Sequence, residues 1–152
     1  ENLFLAGAST AGLTFHFLQP WTKQTAQREW ARQVAEQVGL ADQLGKNVSD
    51  LSHGQQRQLE LGMAISMRPR LIMLDEPAAG LSPSERVILT GLIKKLPAET
   101  TLILIEHDME IVLDLADTIT VLNRGEVIAE GKPEEIRSNQ EVQKVYLGSS
   151  YA

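Results

Sequence analysis

The sequence predicts an α/β fold in which a parallel sheet is flanked by helices, and three observations carry that prediction. Two apolar runs, "RLIMLDEP" stopped by Pro77 and "TTLILIEH" reaching His107, each have the length of a buried parallel strand. Between them Ser82, Pro83 and Glu85 mark a helix start, and Ile88, Leu89, Leu92, Ile93 and Leu96 form an apolar face that Pro97 closes. Strand, helix and strand joined by a crossover of this length make a βαβ unit, whose strands run parallel and lie adjacent or nearly so.

The other elements follow in chain order. The chain opens at "ENLFLAGAST" without a Met, and a segment upstream of it is expected. "STAGLTFHFLQPW" has no clear period and is read as loop or short helix. From Trp21 to Val38, apolar Ala26, Trp30, Val34 and Val38 recur at four-residue spacing, the stripe of an amphipathic helix that Gly39 can end. Ser52 stands three residues before Gln55, the spacing of a capping box, and Leu59, Gly62, Met63 and Met67 follow at helical intervals. Downstream, "DMEIVLDLA" reads as a short helix and "TITVLNRGEVIAEG" as two strands around an Asn123-Arg124-Gly125 turn. "PEEIRSNQEVQKVYL" reads as one or two terminal helices begun by Pro133. No internal repeat or low-complexity linker interrupts the chain.

A chain of 152 residues, 43% hydrophobic, suits one domain or a large piece of one, because a chain of this size buries about two thirds of its unfolded surface. Fourteen basic residues against 20 acidic ones leave a formal charge of −6, which is not the footprint of a nucleic-acid binder. The absence of cysteine excludes a disulfide framework and a thiolate metal site, and the three histidines are too scattered for a zinc motif. The longest apolar runs fall far short of the roughly 20 residues that a membrane-spanning helix requires.

Two places concentrate residues with chemical potential. Asp75 and Glu76 end an apolar strand, where a buried acid costs several kcal/mol unless it is paired. They are either solvated strand-end acids or ligands at the edge where open α/β sheets bind small molecules, one holding Mg²⁺ and the other orienting or deprotonating a water. His107 has the same place on the next strand, so folding sets it near those acids, as a packing residue or as a donor to phosphate. "SHGQQ" opens a helix with a hydroxyl, a glycine and free amides, which is either an ordinary capping box or an anion site.

Taken together, "LSHGQQRQLELGMAI", "RPRLIMLDEPAAGLSP", "LILIEHD" and "VLNRGEVIAEGKPEEI" resemble the ATP-binding subunits of ABC transporters. In that family the LSGGQ signature, Walker B strand, D-loop and switch histidine come in this order. The resemblance runs from about Val48 to the end, and "EPAAGLSP", "IEHDM" and "EVQKVYLG" look most like the subunits that energise branched-chain amino acid uptake in bacteria. It implies a P-loop NTPase-like parallel sheet, with residues 1–50 as a helical region touching the membrane partner and 51–152 as the C-terminal part of the ATPase core.

Carried over by residue, the resemblance gives Ser52, Gly54 and Gln55 contact with the γ-phosphate of ATP held by the opposite subunit. It gives Asp75 the Mg²⁺ shell, Glu76 the role of general base, and His107 a γ-phosphate contact. Pro77 to Pro83 would form the D-loop. His53 stands where the family often has a second glycine, and its side chain is expected to point away from the phosphate. Ser82 replaces the usual aspartate of the D-loop.

The implied cofactors are ATP and Mg²⁺. The implied partners are a second ATP-binding subunit, identical or paralogous, transmembrane permease subunits and, indirectly, a periplasmic or extracellular substrate-binding protein, with no nucleic acid. The implied place is the cytoplasmic face of the cell membrane. Soluble ABC-type ATPases of DNA repair or translation are the alternative, as is import of urea or amides.

A Walker A loop requires G-x-x-x-x-G-K-[ST], whose amides cradle phosphates. Neither Gly45-Lys46, followed by Asn47, nor Gly131-Lys132, followed by Pro133, fits it. The isolated chain is therefore expected to be inactive. In the fold that the resemblance implies, the Walker A strand lies between the "TLILIE" and "TITVL" strands. Without it, unpaired edges and an uncovered apolar face are expected to make the chain oligomeric, domain-swapped or poorly soluble.

Overall fold

The structure, a computed structural model, describes residues 1–10 and 25–147. Trp21 to Gln24, the expected first turn of the amphipathic helix, and most of "STAGLTFHFLQPW" lie outside them. The chain divides into two compact units, Glu1–Ile72 with Ala78–Leu102, and Met73–Pro77 with Ile103–Ala152.

The first unit contains helices α1 (Asn2–Thr10), α2 (Thr25–Gln37), α3 (His53–Ser66) and α4 (Pro83–Ile93), with short 3₁₀ turns at Ala41–Gln43 and Val48–Asp50. α1, α2 and α3 pack on one another around Leu3, Phe4, Val34, Val38, Leu61 and Ile65, all buried. Each such side chain contributes about 1.5–3 kcal/mol by leaving water. Val34 and Val38 are fully buried as their spacing predicts, whereas Ala26 is exposed and the stripe widens instead to Ala31 and Ala35. Gly39, at φ +73°, supplies the left-handed residue that ends α2.

The buried face of α3 differs from the expected one. Gly62 is buried as its spacing suggests, but Met63 and Met67 are exposed, and Leu61, Ile65 and Ser66 are buried in their place. The reason is steric: a Cβ on Gly62 would stand 3.0 Å from Leu3 and 3.2 Å from Val38, so the side without a side chain is where α1 and α2 come closest. Ser66, nearly inaccessible, satisfies its hydroxyl by donating to the Gly62 carbonyl at 2.9 Å.

Strands β1 (Leu71–Asp75) and β2 (Thr101–Ile105) pair in one sheet. Thr101 N–H donates to the Arg70 carbonyl at their starts and Glu76 N–H to the Ile105 carbonyl at their ends, so the strands run parallel, with α4 as the crossover. Ser82 caps α4, Pro83 opens it, and Ser82 and Glu85 close a reciprocal capping box. Leu89 and Ile93 face the interior while Ile88 is exposed, and α4 ends at Ile93, one turn before Pro97. Alternate positions of both strands remain in solvent, Leu71, Met73, Ile103 and Ile105 being 44–66% exposed.

The second unit holds α5 (Met109–Leu115) and the antiparallel pair β3 (Ile119–Asn123) and β4 (Glu126–Gly131). The chain then ends its described part in α6 (Pro133–Ser138), α7 (Gln140–Val142) and a π-turn, Gln143–Leu147. Arg124 and Gly125 both have positive φ, +52° and +84°, the signature of a two-residue type I′ hairpin loop. Met109, Ile119, Val121, Ile136 and Val142 form the core of this unit. Asn139 begins α7 by accepting from the amides of Glu141 and Val142.

Candidate functional site

The end of β1 gathers the first group of candidate residues. Asp75 is the last residue of the strand and Glu76 follows it with φ +45°, a left-handed conformation that costs a non-glycine residue about 1 kcal/mol or more. The Glu76 N–H is fixed by the Ile105 carbonyl at 2.8 Å, so the bend is imposed by pairing with β2. Its carboxylate turns toward the neighbouring strand end, where Glu76 Oε1 lies 3.3 Å from His107 Nδ1. Both side chains are at least half exposed. The sequence placed these two residues on one sheet edge, and the structure joins them.

Asp75 is exposed at the end of β1. No group of three or more His, Cys, Asp or Glu capable of holding a metal occurs among the described residues. One accessible carboxylate with hard oxygen donors nevertheless fits Mg²⁺, which takes one or two carboxylates and fills its octahedron with phosphate oxygens and water.

The second group lies at the start of α3. Ser52 Oγ accepts from the Gln55 N–H at 3.2 Å, and Gln55 Oε1 accepts from the Ser52 N–H at 3.0 Å, so the predicted capping box is present. Gly54 is buried, and its N–H donates at 3.2 Å to Glu85 Oε1, a residue of α4. His53 points to the Pro77–Pro83 segment, its Nε2 lying 3.3 Å from the Ala79 carbonyl and packing against Gly80. Ser82 spends its hydroxyl and amide on Glu85.

Sequence reading missed two residues. Glu106 is one: its side chain is only 1% exposed and lies 4.0 Å from His107 Nδ1, so a buried carboxylate backs the histidine. Nothing in "LILIEH" distinguishes a buried acid from a solvated one. Glu85 is the other, legible as a capping residue but not as a partner of Gly54, 31 positions away. The Ser82 hydroxyl and amide, with smaller help from the Gly54 N–H and the charge of His53, hold the Glu85 carboxyl below its usual range.

A cavity of about 460 Å³ opens at the opposite, N-terminal ends of β1 and β2, lined by Trp30, Ile65, Arg68 and Pro97 among others. Arg68, whose guanidinium stacks 4.3 Å above the Trp30 ring, occupies its wall, and none of the candidate residues reaches it.

Comparison with known proteins aligns with this geometry. Residues 3–79 match the model of the ABC transporter family, and residues 126–152 match that of the branched-chain amino acid ATP-binding cassette transporter. The chain is 46% identical over 124 residues to the high-affinity branched-chain amino acid transport ATP-binding protein BraF of Pseudomonas aeruginosa, covering 80% of this chain and 49% of that protein. It is 40% identical over 157 residues to the corresponding protein LivG of Salmonella typhimurium, covering 99% of this chain and 62% of that one. The chain thus spans about half to three fifths of the length of these relatives. Among solved structures, an ATP-binding cassette of an ABC transporter superposes with a TM-score of 0.76 at 28% identity, over 95% of this chain and 61% of that one.

Proposed function

Since this chain belongs to the ABC transporter family, in its ATP-binding domain, we propose that it supplies the signature and the hydrolytic strand end of the ATPase subunit of an importer. The observation that carries the reading is the pairing of Glu76 and His107 at the end of β1, with the Glu76 backbone held in a strained conformation that aims its carboxylate at the neighbouring strand end. The bound nucleotide supplies a phosphoanhydride and Mg²⁺ supplies charge neutralisation. Asp75 holds the metal's water shell, Glu76 accepts the proton of the attacking water, and His107 donates to the terminal phosphate. Ser52, Gly54 and Gln55 face the terminal phosphate of a nucleotide held by a second subunit. Proton acceptance by Glu76 contributes about 10²–10⁴ in rate.

Residues 1–50 form the region that meets permease subunits, and the importer works at the cytoplasmic face of the membrane with a substrate-binding protein on the other side. No helix among the described residues is long and apolar enough to cross a membrane. Branched-chain amino acids are the substrate class, supported by the match of residues 126–152 and by the names of the relatives. ATP hydrolysis by the full-length protein, measured with and without its permease subunits, tests the reading. Stimulation by the permease with leucine, isoleucine or valine supports it. Equal turnover without any membrane partner would favour a soluble ATPase, and stimulation by urea or amides alone would change the substrate class.

The 152-residue chain contains no Walker A pattern, and by itself it binds Mg-ATP weakly and turns it over negligibly. Tight binding in a calorimetric titration would overturn that statement. The exposed Leu71, Met73, Ile103 and Ile105 support self-association of the isolated chain. A well-behaved monomer in sedimentation would count against it.

A further inference from the structure

Gly54 offers one backbone N–H, and in this structure a carboxylate of the same chain already holds it. Glu85 uses both of its oxygens: Oε2 accepts from the Ser82 N–H at 3.0 Å and from the Ser82 hydroxyl at 2.7 Å, while Oε1 accepts from Gly54 N–H at 3.2 Å. The fit is close enough that a Cβ on Gly54 would collide with the Glu85 carboxylate. A second contact runs beside it, from the His53 ring to the Ala79 carbonyl and Gly80. The start of α3 is therefore joined twice inside one chain, to Ala79 and to Glu85 of α4, and an anion sits on the helix amide where the dipole favours one.

We propose that Glu85 is an internal competitor for the signature amide: its carboxylate holds the Gly54 N–H and must withdraw when the terminal phosphate of the opposite subunit's ATP arrives. The inference rests on the reading of Ser52, Gly54 and Gln55 given above, and it adds a regulator to that site. One N–H cannot donate fully to two anions, and two anions at van der Waals distance repel, so binding of one excludes the other. Release of Glu85 leaves the Ser82 hydroxyl and amide bonds to its other oxygen available, so α4 keeps its cap. His53 holds the two segments in register while the carboxylate moves.

Two measurements test this separately. In the ¹⁵N-labelled full-length protein, the Gly54 amide proton should move downfield as Glu85 ionises, with its midpoint below the usual carboxylate range, and should be flat with pH in Glu85→Gln. A Gly54 amide indifferent to acid in the unsubstituted chain would overturn the latch.

In the full-length protein, Glu85→Gln keeps an oxygen acceptor and removes the charge, so Mg-ATP-dependent dimerisation, followed by sedimentation, should require roughly fivefold less Mg-ATP. Ser82→Ala, which frees Glu85 from its anchor, should shift the requirement in the same direction. An unchanged or higher requirement in Glu85→Gln, with Gly54 still reporting the contact, would overturn the competition. Absence of any Mg-ATP-dependent dimer in either protein would remove the signature reading and the competition with it, while the Gly54 titration would still show whether the contact exists.

Discussion

At the start of α3 the chain satisfies its own polar groups: Ser52 and Gln55 bond each other twice, Gly54 donates to Glu85, and His53 meets the Ala79 carbonyl. At the end of β1 it does the reverse. Asp75 is exposed, and Glu76 and His107 share a 3.3 Å contact in solvent while the Glu76 backbone stores strain. The first region is stabilised by its own hydrogen bonds. The second gives up stability to keep carboxylates and an imidazole available. Substitutions should therefore cost folding stability as well as nucleotide contact in one place and act mainly on chemistry in the other.

Four changes would break or sharpen that difference. The largest effect is expected from His107→Ala in the full-length protein, which removes a phosphate donor and should lower steady-state hydrolysis by about 10²–10³. A side chain this exposed, with contacts of 3.3 Å to Glu76 and 4.0 Å to Glu106, should change the free energy of unfolding by no more than about 1 kcal/mol, as read by urea denaturation. Asp75→Asn comes next: the Mg²⁺ concentration for half-maximal activity should rise about 10–100-fold, again with little change in stability. Ser52→Ala acts in the opposite sense, costing about 0.5–2 kcal/mol of folding free energy by removing the N-cap of α3, as read by urea denaturation.

The smallest expected effect is that of acid on Glu85. Its carboxyl is held below the usual range when folded, so its stabilising contribution is complete at neutral pH and fades as pH falls through the lowered value. The difference in urea midpoint between the unsubstituted chain and Glu85→Gln should accordingly shrink in acid. A difference that grew on acidification would contradict the depressed carboxyl.

What the sequence disclosed depended on range. The capping boxes at Ser52 and Ser82, the Asn123-Arg124-Gly125 turn and the βαβ unit each follow from residues within one element or its neighbour, and each is present. The buried face of α3 was legible only at Gly62: Met63 and Met67, at the same helical intervals, are exposed, because the face that meets Leu3 and Val38 runs through Leu61, Ile65 and Ser66 instead. The link between Gly54 and Glu85 and the burial of Glu106 arise from tertiary contact alone, and no local pattern marks them. The pairing of Glu76 with His107 was legible because equivalent ends of parallel strands share an edge. The left-handed bend that aims Glu76 was not, since sequence patterns place a strand end without fixing the φ of the residue after it.

Single-turnover kinetics of Glu76→Gln in the full-length protein test the central claim most directly. The account predicts that the variant binds Mg-ATP, accumulates as an ATP-bound dimer, and releases phosphate about 10²–10⁴ times more slowly than the unsubstituted protein. Phosphate release at a near-normal rate would contradict it.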